Sequence, residues 1–321
     1  MGKNILITGI NGFMASHLTD YILNNKLGNV FGTIRNKNES LGNIEHALNE
    51  ISVLECDIND FNAIQATLEE SKPDYIFHLA AQSFVPTSWR APAETLQTNI
   101  IGSSNLFEAI RKSGFDPRVQ IAGSSEEYGF VAPEEVPIKE SNPLRPLSPY
   151  GVSKVAMDLM GYQYFKSYGV KIVRTRCFNT TGPRRGKRFV CSDWSKQIAE
   201  IEKDSSKLQV IIHGNLEAYR DFTDVRDTVK ALWLAAAKCE PGEVYNICSE
   251  KTWQMKRVLD VLIGYSERKI RLQEDASRFR PSDVRILHGD CSKFKKKTGW
   301  SPQIPLKQSL FDLLNYWRQK V

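Results

Sequence analysis

Asn4-Ile-Leu-Ile-Thr-Gly-Ile-Asn-Gly-Phe-Met-Ala15 decides the fold: an apolar run ends in Gly9 and Gly12, and a helical pattern follows at once. The run reads as a buried strand, and Gly9 and Gly12, with Ala15 in a third small-residue place, read as the turn into a first helix. A turn of this kind lets backbone N–H groups approach a pyrophosphate at the positive end of the helix, with Gly9, Asn11, Gly12, Phe13 and Met14 around it. The spacing Gly-x-x-Gly-x-x-Ala is looser than the usual dinucleotide fingerprint, so its meaning depends on what surrounds it.

What surrounds it is a regular alternation. Residues 30–34, 51–55, 74–79, 119–123 and 171–175 are further short apolar runs, with helical patterns reaching to about residue 27 and lying near 61–70 and 94–112. Continuous apolar strands separated by helices indicate a parallel sheet buried on both faces. The implied class is α/β, a Rossmann-like doubly wound parallel sheet. Beyond Asn179 the pattern turns irregular, with a helix near 192–203, an extended run at 208–212, a helix at 224–238 and a strand at 243–247 that returns to the main sheet. Residues 1–178 with 213–250 are expected to form the dinucleotide-binding domain, and 179–212 with 251–321 a smaller mixed α/β C-terminal substrate lobe.

The end of the second strand bears on the cofactor. NAD binding calls for an acid there to meet the ribose 2′-hydroxyl, whereas this chain has Thr33-Ile34-Arg35-Asn36-Lys37. Arg35 suits a 2′-phosphate, which makes NADP the expected cofactor; the alternative is an arginine that is merely solvated. Asp57 and Ile58 follow the third strand and can meet the adenine, while Leu79, Ala80 and Ala81 follow the fourth and are small enough to pass close to a cofactor. His78 reads as a satisfied core histidine.

The Tyr-x-x-x-Lys spacing occurs at Tyr150/Lys154, Tyr162/Lys166 and Tyr265/Lys269, so spacing alone says little. Context separates the first pair: Ser148-Pro149 reads as an N-cap and a proline at the first helical position, which sets Tyr150 in the opening turn and Lys154 one turn on. A neighbouring cation and the helix dipole are expected to favour phenolate, fitting Tyr150 to take a proton from a hydroxyl as hydride leaves. A surface helix with an ordinary Tyr and Lys is the bland alternative, and the glycine turn and Ser124-Ser-Glu-Glu-Tyr-Gly129 weigh against it.

Composition excludes several classes. The 321 residues, 41% hydrophobic and 25% charged, suffice for one large core or two smaller ones. The net charge of +6 comes without a dense basic tract interleaved with aromatics, so nucleic acid is not an expected partner. No run approaches the ~20 apolar residues of a membrane span, and the N-terminus enters a strand directly, so no membrane association and a cytoplasmic location are expected. Six cysteines lack any Cys-x-x-Cys and the histidines do not cluster with them, so no metal is expected. Residues 293–297 read as a solvated basic loop, whereas the charge at 184–188 and at Arg220, Arg278 and Arg280 suits diphosphates.

With these motifs assembled, the chain resembles the extended short-chain dehydrogenase/reductase family over essentially its whole length, and within it the GDP-mannose 4,6-dehydratases and their sister GDP-4-keto-6-deoxymannose reductases. The resemblance rests on 80–85, 124–129, 148–154, Phe178-Asn179, 182–186, 214–221 and 280–283. It implies that Ser124 binds the sugar 4-hydroxyl, that Glu126 handles protons at C5 and C6, and that Tyr150 with Lys154 serves hydride transfer at C4 to NADP. The product would be a 4-keto-6-deoxy sugar. It also implies a GDP-sugar partner in the second lobe, with Asn179 and Arg220 near the diphosphate, Val190 and Lys196 near the base, Arg280 and Asp283 near the ribose, and Ser83 and Val85 beside the hexose. Residues 189–198 and 298–305 look more like the reductases, and 183–186 and 289–293 more like the dehydratases. An NADPH-dependent reductase of a GDP-4-keto-6-deoxyhexose is therefore the runner-up, and a non-catalytic NADP sensor the reading from another class. Leu106, Met157, Met160 and Phe165 fall at helical spacing and suit either core or an intersubunit bundle; the family implies a homodimer or homotetramer.

Overall fold

The computed structural model of the chain describes residues 2–204, 206, 208–280 and 284–321. Its first half runs β1 (Asn4–Thr8), α1 (Phe13–Asn24), β2 (Asn29–Ile34), β3 (Ile51–Glu55), α2 (Phe61–Ser71), β4 (Tyr75–His78), α3 (Val85–Arg90), α4 (Pro92–Leu96), α5 (Gly102–Ser113), β5 (Arg118–Ser124), α6 (Pro149–Tyr168) and β6 (Ile172–Cys177). The second half adds β7 (Asn179–Thr181), α7 (Val190–Lys203), β8 (Val210–His213), β9 (Tyr219–Asp224), α8 (Val225–Lys238), β10 (Val244–Ile247), β11 (Thr252–Gln254), α9 (Met255–Ile263), β12 (Arg271–Glu274), β13 (Ile286–Leu287), α10 (Ser292–Thr298) and α11 (Leu306–Lys320).

The main sheet has the order β3-β2-β1-β4-β5-β6-β10 with every pair parallel. Strand β1 explains why both faces are covered. Its alternate side chains enter different layers, Ile5 and Ile7 packing with α1 and α8, and Leu6 packing with α2 and α5. The direction of winding reverses between β1 and β4, so the carboxyl ends of these strands open onto a crevice, the place where a sheet of this kind takes its ligand. This is the doubly wound Rossmann-like fold expected from the strand pattern.

A second core, around Trp194, Ile198, Leu259, Leu262, Leu310 and Leu313, joins α7, α9 and α11 and forms the smaller lobe. Core membership crosses the expected division of the chain. Val284, Leu287, Cys291, Phe294 and Trp300 pack with the first core rather than the C-terminal lobe, while Ala218 and Phe222 pack with the second. Aromatic contacts account for the return: Phe294 lies edge-on to Tyr245 at 5.9 Å and to Trp300 at 5.5 Å, and Trp300 Nε1 donates to the Asp227 carbonyl at 3.1 Å.

Two further local expectations change. Residues 293–297 are not a loop but most of α10, three of whose four lysines meet an acid: Lys293 with Glu243, Lys295 with Glu250 and Lys297 with Glu240. The helix expected over 94–112 is broken by a π turn at Gln97–Ile101. The six cysteines are all buried and free. Among the described residues no helix is long and apolar enough to cross a membrane, and no group of side chains could hold a metal ion.

Gly32 sits where β2 passes under the turn after β1. A Cβ there would lie 2.1 Å from Ile10 Cδ1 and 2.5 Å from Ile10 Cβ. Gly32→Ala is expected to cost about 1–3 kcal/mol as the turn is pushed off the sheet. A thermal melt of the variant checks this, a fall of several degrees being the expected result.

Candidate active site

The turn after β1 is closed by Gly12 N–H donating to the Gly9 carbonyl at 2.9 Å, and it is tied to β2 by Ile10 N–H donating to the Thr33 carbonyl at 2.9 Å. Gly9 has φ +68°, and a Cβ on it would lie 3.0 Å from the Ala80 Cα. Only glycine therefore lets the segment after β4 come this close, and the two segments together make a tight backbone cradle suited to a pyrophosphate. Thr8 and His78 hold the second segment: Thr8 Oγ1 accepts from the N–H groups of Leu79 and Ala80 at 3.0 Å each, and it pairs with His78 Nδ1 at 2.9 Å. His78 Nε2 meets Ser103 Oγ at 3.0 Å, so the ring has a partner on each nitrogen and lies in the core. Burial holds it at about 3, below the ordinary 6.5, and the charge of Lys154 acts in the same direction.

These segments border a cleft of about 1450 Å³ between the main sheet and the smaller lobe. Gly9, Asn11, Gly12, Phe13, Met14 and Arg35 line one end of it. Asp57, Ile58, Leu79, Ala80 and Ala81 lie along its floor. Ser83, Val85, Ser124, Glu126 and Tyr150 follow, and Asn179, Val190, Arg220 and Arg280 close the far side. Asn179 Oδ1 is buried with no hydrogen-bond partner among the described residues, as suits a polar ligand. Lys196 does not line the cleft; its Nζ donates to Glu200 at 2.5 Å one turn along α7. Asp193, one turn earlier, lines the cleft in its place and pairs with Arg278 at 2.5 Å. Asp283 lies outside the described residues.

The hydroxyl and acid–base groups come from β5 and α6. Ser148 caps α6 as expected, its Oγ accepting from Gly151 N–H at 3.0 Å, and Pro149 opens the helix. Tyr150 and Lys154 are thereby placed on the buried face. Lys154 Nζ lies 5.9 Å from the centre of the Tyr150 ring and donates to the Ala122 carbonyl at 2.8 Å. Burial lowers its ammonium to about 8, with Glu127 and Cys177 opposing. The expectation of a phenolate is reversed. Burial pushes the Tyr150 phenol above its ordinary 10.0, with Glu126 and Glu127 adding to the rise and the Ser124 hydroxyl and Arg185 opposing it.

Glu126 follows Ser124 in a single 3₁₀ turn, Ser125–Glu127, and its backbone N–H donates to Ser124 Oγ at 3.2 Å. Its carboxylate enters the cleft 3.7 Å from Arg280 Nη1, with 15% of the side chain exposed. Glu127 points the opposite way, into the protein. It accepts from Ser124 N–H at 2.7 Å and from Arg176 Nε at 2.9 Å, and Arg176 Nε also donates to Asp158 of α6 at 3.0 Å. Burial, then the charge of Asp158, pushes the Glu127 carboxyl well above its ordinary 4.5, and Arg176 opposes them.

Two site residues are not singled out by the sequence, Arg185 being only one member of the basic run 184–188. Arg185 lines the cleft with its guanidinium 3.5 Å from the Phe189 ring centre and 4.7 Å from that of Phe13, and burial lowers it to about 10 while Tyr150 opposes. Its place in a Pro-Arg-Arg-Gly run at a strand end was a usable signal. Asn99, inside the π turn, accepts from Gln82 N–H at 2.8 Å and donates to Ser153 Oγ at 2.9 Å, joining the cleft floor to α6. No single-sequence signal marks it.

Residues 6–312 match the family model described as GDP-mannose 4,6 dehydratase. GDP-6-deoxy-D-mannose reductase of Pseudomonas aeruginosa is 30% identical over 324 residues, covering 100% of this chain and 99% of that protein. GDP-mannose 4,6 dehydratase 1 of Arabidopsis thaliana is 33% identical over 317 residues, covering 94% of this chain and 86% of that protein. Among solved structures, RMD from Pseudomonas aeruginosa complexed with NADPH superposes with a TM-score of 0.85 at 28% identity, covering 99% of this chain and 100% of that one.

Two outcomes follow from the buried groups. The His78 ring has a folded value near 3 against 6.5 when free, so the stability of its neutral form is complete above 6.5 and is lost as pH falls toward 3. Denaturant titrations from about pH 7 to about pH 4 should show falling stability, and His78→Asn should flatten that slope while lowering stability at the neutral end. Glu127→Met takes from Arg176 one of its two buried carboxylates and is expected to cost about 3–5 kcal/mol in the same measurement, whereas Glu127→Met together with Arg176→Met costs less.

Proposed function

The chain belongs to the GDP-mannose 4,6-dehydratase family, and on that premise we propose that it is an NADP-dependent lyase converting GDP-mannose to GDP-4-keto-6-deoxymannose. The observation that carries this reading is the Glu126 carboxylate in the cleft wall beside Tyr150 and Ser124. Gly9 to Met14, with Leu79 to Ala81, would hold the dinucleotide, and Arg35 would meet its 2′-phosphate. Bound NADP supplies the hydride acceptor for C4 and the donor for C6.

The protein's residues then divide the remaining work. Ser124 orients the sugar 4-hydroxyl, and Tyr150 exchanges that hydroxyl's proton. Lys154, one turn along α6 with its affinity for a proton lowered to about 8, sets the charge of the couple. Once C4 is a carbonyl, the proton on C5 is acidic, and Glu126 is the carboxylate placed to remove it and to protonate the departing C6 hydroxyl. Asn179 and Arg220 anchor the diphosphate, Arg220 by a forked contact that a lysine cannot copy.

One observation favours a second reading. The Pseudomonas aeruginosa GDP-6-deoxy-D-mannose reductase is 30% identical to this chain, and residues 189–198 and 298–305 look more like the reductases. A reductase would use Tyr150 as an acid, consume NADPH and need no base at C5.

We place the subunit contact on α6 and the π turn. Leu106 and Met157 are core, but Val152, Leu159, Tyr162 and Ile101 are exposed on that side, and covering them would make a homodimer or homotetramer.

Incubating the protein with GDP-mannose and NADP+ in deuterated water tests the first reading: deuterium at C5 with no net change in cofactor absorbance is expected. Glu126→Gln should lower that turnover by at least about 100-fold while substrate still binds. Stoichiometric oxidation of NADPH by a GDP-4-keto-6-deoxyhexose, with GDP-mannose inert, would assign the reductase instead.

A further inference from the structure

Arg35 does not stand alone at the end of β2. Glu39 curls back from the following loop so that its Oε1 lies 3.0 Å from Arg35 Nη2. Its Oε2 accepts from the Arg35 backbone N–H at 3.3 Å and from Asn11 Nδ2 at 3.1 Å. Asn11 belongs to the glycine turn, so the carboxylate is fastened to both segments that would bracket an adenosine ribose. Both side chains line the cleft, and Glu39 is the more enclosed, 24% exposed against 63% for Arg35.

An acid at this place is what a ribose 2′-hydroxyl calls for, and an arginine is what a 2′-phosphate calls for. This chain carries both. The sequence hid the acid because it lies beyond the strand end, and only the fold of the loop brings it back. Their ion pair is solvent-exposed on the arginine side, so it is weak and Arg35 can turn away to a phosphate. Glu39 cannot follow, because the two N–H donors on Oε2 keep their hold when the guanidinium leaves. A bound 2′-phosphate would then face a fixed like charge.

We propose that Glu39 sets the cofactor selectivity of this chain, accepting the 2′-hydroxyl of NAD and opposing the 2′-phosphate of NADP, so that both cofactors bind. The proposal rests on the reading of this end of the cleft as a dinucleotide site, and it holds whichever sugar reaction the far end performs.

Equilibrium titration of the full-length protein with NADP+ and with NAD+, followed by calorimetry or tryptophan fluorescence, tests it without turnover. Wild-type dissociation constants for the two should lie within about tenfold of each other. Glu39→Gln, which keeps a side-chain amide oxygen for the same donors, should move the ratio about tenfold or more toward NADP+, and Arg35→Ala should move it the other way. A wild-type preference for either cofactor above about a hundredfold, or a ratio unchanged in Glu39→Gln, overturns the proposal. Binding of neither cofactor by wild type overturns the dinucleotide reading itself, and this proposal with it.

Discussion

The candidate site depends on a buried charge cluster whose side chains do not line the cleft. Arg176 on β6 is held between Glu127, at the end of β5, and Asp158 on α6, and Asp158 also takes Arg174 Nη1 at 2.5 Å. All four side chains are almost fully enclosed. Charges are costly to bury unless each finds its partner, so the three elements can pack only in the register that closes these pairs. Glu127 carries that register to the proposed acid–base groups, since its other oxygen takes the Ser124 N–H and so fixes the residue beside Tyr150. Asp158 does the same from the helix, one turn beyond Lys154. Gly123 is the sequence's concession to this cluster, because a Cβ there would lie 2.4 Å from Glu127 Oε1.

A second, uncharged clamp does the matching work on the cofactor side. Thr8, His78 and Ser103 link β1, β4 and α5 across the point where the sheet reverses direction. Burial keeps the imidazole neutral, so the clamp adds no field to the crevice it shapes. Asn99 then carries the link from α5 to α6 through Ser153. The π turn is what aims Asn99, since widening the helix by one residue rotates its side chain onto the Gln82 backbone.

Much of this was legible in the residues. The period of the apolar runs gave the parallel sheet, Ser148-Pro149 placed Tyr150 at a helix start, and the glycines after β1 marked the turn. Ser124-x-x-Glu127 is itself a capping-box spacing, with Glu127 returning to the Ser124 N–H, and it could have been read as one. What escaped falls into two kinds. Lys196 and Glu39 turned on which neighbour a flexible side chain would choose, and a helical i,i+4 acid or a loop's return decides that after folding. Tyr150 turned on a balance of terms: a nearby cation and a helix end are visible in sequence, but the depth of burial that outweighs them is a property of the packed lobes. The same holds for the return of 284–300 to the first core, where the edge-on contact of Phe294 with Tyr245 overrides position in the chain.

The two lobes therefore carry different parts of the chemistry. Everything rigid, from the Arg176 cluster to the Thr8 clamp, belongs to the sheet and fixes the oxidation couple relative to the dinucleotide turn. Glu126 alone among the proposed acid–base groups reaches across, meeting Arg280 of the smaller lobe. Oxidation at C4 needs only the sheet side of the site. Under the proposed roles, elimination would need C5 and C6 to lie over Glu126 as well, a placement that the proposed contacts of Asn179, Arg220 and Arg280 with the nucleotide end would govern. On that proposal, dehydratase and reductase chemistry would share Ser124, Tyr150 and Lys154 unchanged. What would then separate them is the reach of a hexose from its diphosphate anchor to one carboxylate, a distance set by the lobe whose sequence pattern is the least regular.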